Sequence, residues 1–350
     1  MRRDARPGLA TRLALSVVIV LLVAAGLTAY YLFQGSGGQS TSVTLTLGIP
    51  PGPEDAPQYY ALQQGYYSSG GLNVTILPGT GGTAAIAAVS SGEVDFALTD
   101  ASGLVYSLTK SNVTNVRIVA VLFPTSFFSV VYNEAAISSP DGIAGKPGAA
   151  TNPSIGIATK LFLVLADQNN LTVAPYLQFG SSQSVVWGDL GTGKVDYEVG
   201  GAHDIAFLQP SASLQGIQLG FFPFSDYGFT SYGEVLVTSS AMIADHGGVV
   251  KSFVSATLKG MVEAALNPAA AAAAEVRYQP QLNESQMLQG WNLDVACCMQ
   301  GVTAATNPLA FGYPDPVRMQ QTVNFVLLGE GVSTAVNATQ FYSDAYTQQP

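Results

Sequence analysis

Two short polar segments, each placed directly after a predicted strand, carry the residues of this sequence best suited to bind a ligand. The first holds Asp100 and Ser102, and the second begins with two glycines and holds His203 and Asp204. Ligands of open α/β sheets bind at the carboxyl ends of strands, so both segments are candidate ligand loops. A histidine beside an aspartate can donate a hydrogen bond to a ligand, and a solvated loop histidine is the alternative.

A third candidate loop lies in a Gly-rich turn that contains Thr151, Asn152 and Ser154 and precedes a predicted helix. The free N–H groups of the first helical turn, with these hydroxyls, can hold an anion or a polar ring. Simple capping of the helix by Thr151 or Asn152 is the alternative. Aromatic side chains near other loops could sandwich a ring or could pack in the core.

The sequence offers few groups for catalysis. It has 2 histidines and 2 cysteines in 350 residues, without zinc-ligand spacing, a phosphate-binding loop or a nucleophile turn. This scarcity favours a binding protein over an enzyme, and no metal or cofactor is predicted. Cys297 and Cys298 are adjacent, and buried thiols are the favoured interpretation, with a disulfide between neighbours or metal ligation as alternatives.

Charge separates the chain into a basic start and an acidic remainder. It has 13 Lys and Arg against 23 Asp and Glu, a net charge of −10, which excludes a basic nucleic-acid-binding protein. Residues 13–33 carry no charge and follow four arginines, which predicts a signal-anchor helix within residues 1–33 that tethers the chain to the membrane. A cleaved signal peptide is the alternative. Residues 34–42 then form a flexible tether, and everything after them lies outside the cytoplasm.

Five N-x-Ser/Thr sequences accompany the predicted export. They lie at Asn73, Asn112, Asn170, Asn283 and Asn337. These asparagines are glycosylation candidates in a cell that modifies exported proteins.

An internal repeat indicates two domains of similar build. Residues 86–102 and 185–204 share a helix, a stop at Gly92 or Gly193, a Val-Asp pair, a strand and a polar loop. We therefore expect two α/β lobes. Lobe 1 comprises residues 43–138 and 232–350, and lobe 2 comprises residues 139–231.

Several short motifs resemble a known family. They are residues 57–61 (PQYYA), 65–67 (GYY), 91–96 (SGEVDF), 143–148 (IAGKPG) and 193–197 (GKVDY). In this order they resemble ABC-transporter solute-binding proteins of the nitrate, sulfonate, taurine and thiamine-pyrimidine-precursor group. The resemblance implies a two-lobed α/β fold of the periplasmic-binding-protein type II kind, with two crossings between the lobes.

The resemblance also implies a function and a site. The lobes of a monomer would close on a small polar or anionic solute and deliver it to an ABC permease and its ATPase. The motif that pyrimidine-binding members carry after the first strand is absent from residues 50–57, which disfavours a pyrimidine ligand. A thiamine-pyrimidine-precursor synthase-like enzyme and a ligand-sensing ectodomain are the alternatives. The predicted ligand-binding residues are Glu54, Thr80, Gly81, Gly82, Asp100, Ser102, Ser126, Phe127, Thr151, Asn152, Ser154, Trp187, His203, Asp204 and Tyr227.

Overall fold

The computed structural model describes residues 40–110, 113–153, 157–332 and 335–350. The predicted anchor within residues 1–33 lies outside the described residues, as does most of the predicted tether. The last two tether residues, Thr41 and Ser42, already belong to the first strand. No helix in the described ranges combines the length and the apolar character that a membrane span requires.

Ten strands in the described residues form two five-stranded sheets. The first sheet has the order β2-β1-β3-β10-β4, and the second has the order β7-β6-β8-β5-β9. The strands are β1 (Thr41–Thr46), β2 (Leu72–Leu77), β3 (Phe96–Asp100), β4 (Val116–Val121), β5 (Phe128–Asn133), β6 (Gly148–Thr151), β7 (Leu177–Gly180), β8 (Tyr197–Gly201), β9 (Leu219–Pro223) and β10 (Glu234–Ser239).

Helices cover both sheets. They are α1 (Ala56–Gln63), α2 (Tyr66–Ser69), α3 (Gly82–Ser91), α4 (Ala101–Lys110), α5 (Ile157–Gln168), α6 (Gln183–Gly191), α7 (Asp204–Leu214), α8 (Ser240–Asp245), α9 (Gly247–Leu266), α10 (Pro268–Tyr278), α11 (Glu284–Cys298), α12 (Pro308–Phe311) and α13 (Pro316–Gly329). A single turn of 3₁₀ helix, Pro53–Asp55, lies between β1 and α1.

The two sheets have the same plan. In each, the fourth strand comes from the other half of the chain and runs antiparallel to both neighbours: β10 between β3 and β4, and β5 between β8 and β9. The predicted two-lobed α/β fold is therefore present. The boundary differs from the prediction, because β5 lies in the second sheet and the first crossing falls at residues 122–127 rather than near residue 139. The apolar pattern of β5 predicts a strand but does not identify its partners.

The internal repeat has the predicted structure. Helix α3 is followed by Gly92 and β3, and helix α6 by Gly193 and β8. Both glycines have left-handed backbone angles, with φ of 77° and 72°, which favour glycine because it has no Cβ. The repeat thus brings each polar loop to the end of a strand.

Apolar packing against helix α9 holds the first lobe together. Phe253 of this helix stacks on Phe96 of β3, with ring centroids 4.1 Å apart, and on Tyr67 at 5.1 Å. All three rings are buried, and each such side chain contributes on the order of 2 kcal/mol through its burial. This core fixes the sheet whose strand ends carry half of the site.

Candidate functional site

His203 lies at the contact between the two lobes. It follows β8 of the second sheet and is only 6% exposed. Its Nδ1 donates to both carboxylate oxygens of Asp294, at 2.9 and 3.1 Å. Asp294 lies on α11, which packs against α10 and the Pro53–Asp55 turn of the first lobe. One hydrogen-bonded pair therefore connects the lobes in their interior.

The other nitrogen of His203 faces two carboxylates. Nε2 lies 3.9 Å from Glu54 Oε2 and 3.6 Å from Asp204 Oδ1. The ring of Phe127 covers the imidazole, with centroids 5.3 Å apart. The side chains of Glu54, His203 and Asp294 can each direct one ligand atom to a common point, since these atoms lie within 4.8 Å of one another.

Glycines around His203 make this close packing possible. A Cβ on Gly200 would lie 2.1 Å from Asp204 Oδ2, and a Cβ on Gly201 would lie 2.7 Å from His203 Cε1. On the facing helix, a Cβ on Gly290 would lie 2.4 Å from Pro53. The Gly-Gly pair at the end of β8 is therefore required so that the chain can fold back on its own histidine and aspartate.

Buried carboxyl groups surround the pair. Within the described residues no Lys or Arg forms an ion pair with any of them, and their ion pairs are all with His203. Ionised groups in such a place are costly without a positive partner. We call these eight residues the carboxyl cluster: Glu54, Asp55, Asp100, Glu198, Asp204, Glu234, Glu275 and Asp294.

Burial and mutual repulsion shift the pKa values in the cluster. Burial raises the pKa of Glu234, and the charges of Asp55 and Glu54 raise it further. Burial raises the pKa of Asp100 to about 7 and that of Glu275 to about 10. Burial alone would lower the pKa of His203, but Asp294 and the other carboxylates outweigh it and raise that pKa well above its usual value. A proton or another cation is therefore favoured here.

Several acceptor oxygens in the cluster have no hydrogen-bond partner in the described part of the chain. They include Glu54 Oε2, Asp100 Oδ2, Glu198 Oε1, Glu234 Oε2 and both oxygens of Glu275. Buried polar atoms in native proteins are paired as a rule, with protein, water or ligand. The cluster therefore presents acceptor oxygens to which the described residues supply no donor.

The structure brings some of the predicted residues into this site. Glu54, Asp100, His203 and Asp204 belong to the carboxyl cluster, and Phe127 covers the histidine. Asp100 Oδ1 also accepts hydrogen bonds from the N–H groups of Ser102 and Gly103, which begin α4. Glycine 82 lies beside β3 near that end, where a Cβ would be 2.8 Å from Thr99 Oγ1.

Three other predicted residues form hydrogen bonds within the fold. Ser102 Oγ hydrogen-bonds Ser231 Oγ at 3.1 Å, Thr151 Oγ1 contacts Thr159 Oγ1 at 3.3 Å, and Ser126 Oγ accepts from the N–H of Phe128 at 3.3 Å.

Two predicted aromatic residues pack elsewhere. Trp187 stacks on Phe207, with ring centroids 5.0 Å apart, and Tyr227 donates to the carbonyl of Pro140 at 3.2 Å from within the core. The remaining predicted positions take no part in the described cluster or lie outside the described residues. Thr80 and Asn152 are exposed, Gly81 is the N-cap residue of α3, and Ser154 is outside the described residues.

Sequence reasoning missed five members of the carboxyl cluster: Asp55, Glu198, Glu234, Glu275 and Asp294. A signal for them was present, because each carboxyl interrupts an apolar face. On α11, for example, Asp294 continues the buried series Met287, Trp291 and Cys298 at helical spacing. An acid in a buried stripe indicates a functional or partnered group.

The cysteines and glycosylation candidates can also be located. Contrary to the favoured interpretation of free thiols, Cys297 and Cys298 form a disulfide bond at the end of α11. Asn73, Asn170, Asn283 and Asn337 are exposed, whereas Asn112 is outside the described residues. Modification of these asparagines stays a prediction.

Solved structures share this fold. The periplasmic aliphatic sulphonate binding protein SsuA from Escherichia coli has a TM-score of 0.63 at 11% identity, covering 88% of this chain and 93% of its own. A Candida albicans protein described as having the generic periplasmic binding protein fold has a TM-score of 0.62 at 15% identity, covering 88% and 98%. A Staphylococcus aureus ligand-binding component of an ABC-type import system, solved with zinc bound, has a TM-score of 0.62 at 12% identity, covering 87% and 96%.

The sequence itself matches one family model. No curated protein sequence matches the chain. The family model described as NMT1/THI5 like matches residues 52–271, which include both crossings and most of both sheets. This span exceeds half of the chain and agrees with the predicted resemblance, so the chain belongs to the NMT1/THI5-like family.

Proposed function

We propose that this chain is the extracytoplasmic solute-binding component of an ABC importer. In this role the two lobes close on one small solute and present it to a permease driven by an ATPase, without chemical change. The observation that carries the proposal is the buried contact between His203 and Asp294, one from each lobe, inside the carboxyl cluster. A surface meant only for packing would be apolar, because buried carboxylates oppose folding.

The two chain crossings support closure. Residues 122–127 and 228–233 connect the sheets, and hinge closure about such short connections is a common way to enclose a ligand. We propose that the predicted N-terminal helix tethers the domain to the outer face of the membrane. A monomer is expected, since each protein molecule would need to bind and release solute at the permease.

The charged groups of the site indicate which charge the solute should carry. The sequence led us to expect a polar or anionic solute such as a sulfonate. In the cluster, however, eight carboxyl groups accompany a single histidine, and no Lys or Arg among the described residues pairs with them to offer an anion a positive partner. We therefore propose a solute that carries positive charge or many hydrogen-bond donors.

A thermal-shift screen of the full-length protein tests the proposal. It would include nitrate, alkanesulfonates, pyrimidines, amino acids and amines, all with a metal chelator present. We expect a cationic or donor-rich compound to raise the melting temperature, and small-angle scattering to show closure with that compound. Binding should be lost in Asp100→Ala and His203→Ala and kept in Glu93→Gln, which removes an exposed carboxylate.

A second measurement on the stabilising compound separates binding from catalysis. An enzyme with this fold would convert the compound, whereas a binding protein releases it unchanged. Recovery of the intact compound after prolonged incubation, measured by mass spectrometry, is the expected result. A stabilising compound that is consumed, or a compound that binds equally well to both site variants, would contradict the proposal.

A further inference from the structure

The contact between the lobes contains a histidine whose two ring nitrogens both face carboxylate oxygens. His203 Nδ1 lies 2.9 and 3.1 Å from the two oxygens of Asp294. Nε2 lies 3.9 Å from Glu54 Oε2 and 3.6 Å from Asp204 Oδ1. A neutral imidazole has a proton on one nitrogen only and would direct the lone pair of the other toward these oxygens, whereas an imidazolium has a proton on both. The geometry therefore favours the charged form of His203.

The carboxylates around this imidazolium come from both lobes. His203 and Asp204 follow β8 of the second sheet, whereas Glu54 and Asp294 belong to the first lobe. Asp204 moves with the histidine, because its Oδ2 accepts from the N–H of Gly201 at 3.0 Å. Separation of the lobes would remove Glu54 and Asp294 from the ring and admit water to it. The pKa of the histidine would then return toward its ordinary value of about 6.5.

The carboxyl groups at the same contact change their protonation in the same direction. Burial raises the pKa of both Glu54 and Asp294 and outweighs the charge of His203, which lowers them. Separation of the lobes would hydrate these two groups and lower their pKa values again. The lobes in contact therefore hold more protons than the lobes apart. The titratable groups that interact with His203 are Glu54 and Asp55 of the 3₁₀ turn, Asp294 of α11, Asp204 of α7 and Glu198 of β8.

We propose that closure of the two lobes takes up a proton on His203, so that acidic solution favours the closed protein and alkaline solution opens it. This inference rests on the proposed function, because it concerns the regulation of the same cleft. A group whose pKa is raised by closure favours closure fully below its ordinary pKa, and that contribution is lost as the pH rises through the raised value. The closure constant should fall by up to about tenfold for each pH unit above about 6.5.

Other contacts between the lobes lack a histidine and provide controls. Lys160 of α5, in the second lobe, lies 3.6 Å from Glu330 and donates to the hydroxyl of Tyr106 at 2.6 Å, and both partners belong to the first lobe. Gln286 Nε2 of α11 donates to the carbonyl of Ala206 on α7 at 3.2 Å. The variant Glu330→Gln therefore removes a carboxylate from the contact between the lobes without removing a partner of His203.

The protonation of His203 can be measured directly, because the sequence has only two histidines. The full-length protein is labelled with ¹⁵N in its histidine rings and titrated by NMR, and His246→Gln removes the signal of the exposed histidine. We expect both ring nitrogens of His203 to carry protons at pH 7. Asp294→Asn should lower the midpoint of the titration by about one pH unit or more, and Glu330→Gln should leave it unchanged.

The link to closure is tested with spin labels on the two helices that meet at the contact. Labels are attached at Gln289→Cys on α11 and Ser213→Cys on α7, both exposed positions. The natural cysteines are joined in a disulfide and do not react with the label. The distance between the labels, measured without added solute, should lengthen as the pH rises from 6 to 9. Asp294→Asn should abolish this pH dependence, whereas Glu330→Gln should keep it.

The possible outcomes separate the inference from the proposed function. A neutral His203 at pH 7, or a label distance that stays constant from pH 6 to 9, overturns proton-linked closure. Circular dichroism identifies a variant that fails to fold, and the two measurements on the chain with natural Asp294 then decide the inference. Both are made without solute, so their failure leaves the solute screen valid. A screen in which no compound binds would contradict the solute-binding function, whereas the pH-dependent separation of the lobes would stand.

Discussion

Glu275 provides the sharpest test of the electrostatic account of this protein. It lies on α10 directly after a run of alanines, is fully buried, and neither of its carboxylate oxygens has a hydrogen-bond partner among the described residues. Burial raises its pKa from 4.5 to about 10, and the charges of Asp55 and Glu54 act in the same direction. The folded protein therefore keeps this proton at neutral pH, whereas the unfolded chain releases it.

The sign and size of the effect follow from linkage. Glu275 favours the folded state fully below pH 4.5, and that contribution is lost as the pH rises toward about 10. At pH 7 the loss is about 3 kcal/mol, at 1.36 kcal/mol for each pH unit. Glu275→Gln keeps the shape without an ionisable proton, so it should stabilise the protein by up to about 3 kcal/mol at pH 7 and by nearly nothing at pH 4.5.

Thermal unfolding of the full-length protein between pH 4.5 and pH 8 measures this effect. We expect the melting temperature of Glu275→Gln to exceed that of the natural chain by about 5 °C at pH 7. The exposed control Glu93→Gln should show no such pH-dependent gain. A gain that is equal at both ends of the pH range, or no gain at pH 7, would refute the assignment of a neutral buried carboxyl.

Three further changes test the packing and the local structure. Gly260→Ala places a Cβ 2.6 Å from that of Ala61, so it should lower the free energy of unfolding by about 1–3 kcal/mol in denaturant experiments. The control Gly248→Ala on the same helix places its Cβ in open space and should be neutral or slightly stabilising. Gly200→Ala should disrupt the end of β8 and the loop that follows it, because the new Cβ would lie 2.1 Å from the Asp204 carboxylate. Binding of the screened solute should be lost, and retained affinity would contradict this. Asn283→Ala removes the side-chain acceptor that caps α11 and should cost about 1 kcal/mol of unfolding free energy.

Local patterns in the sequence predicted much of the fold. The repeated unit with Gly92 and Gly193 has the predicted order of helix, turn and strand. These features depend on alternation and on backbone angles that only glycine adopts readily, which are properties of neighbouring residues. The family resemblance, carried by short motifs in the same order, is confirmed by the family match.

Partners distant in the chain could not be predicted in the same way. The strand β5 was assigned to the first lobe because its own residues do not identify β8 and β9 as its neighbours. Asp294 could not be predicted as the partner of His203, because 91 residues separate the two in the chain. Sheet pairing and side-chain contact across the chain are properties of the folded packing.

The sequence by itself determined the two-lobed α/β class, the repeated strand-to-loop unit and the likeness to solute-binding proteins, because each rests on short-range pattern. It also directed attention to His203, through a polar loop after a strand. Only the tertiary structure decided the character of the site. Carboxyls from the Pro53–Asp55 turn, β3, β8, β10, α7, α10 and α11 come together near one histidine only after both lobes have folded and packed together, and this arrangement is the basis of our proposal of a cationic or donor-rich solute.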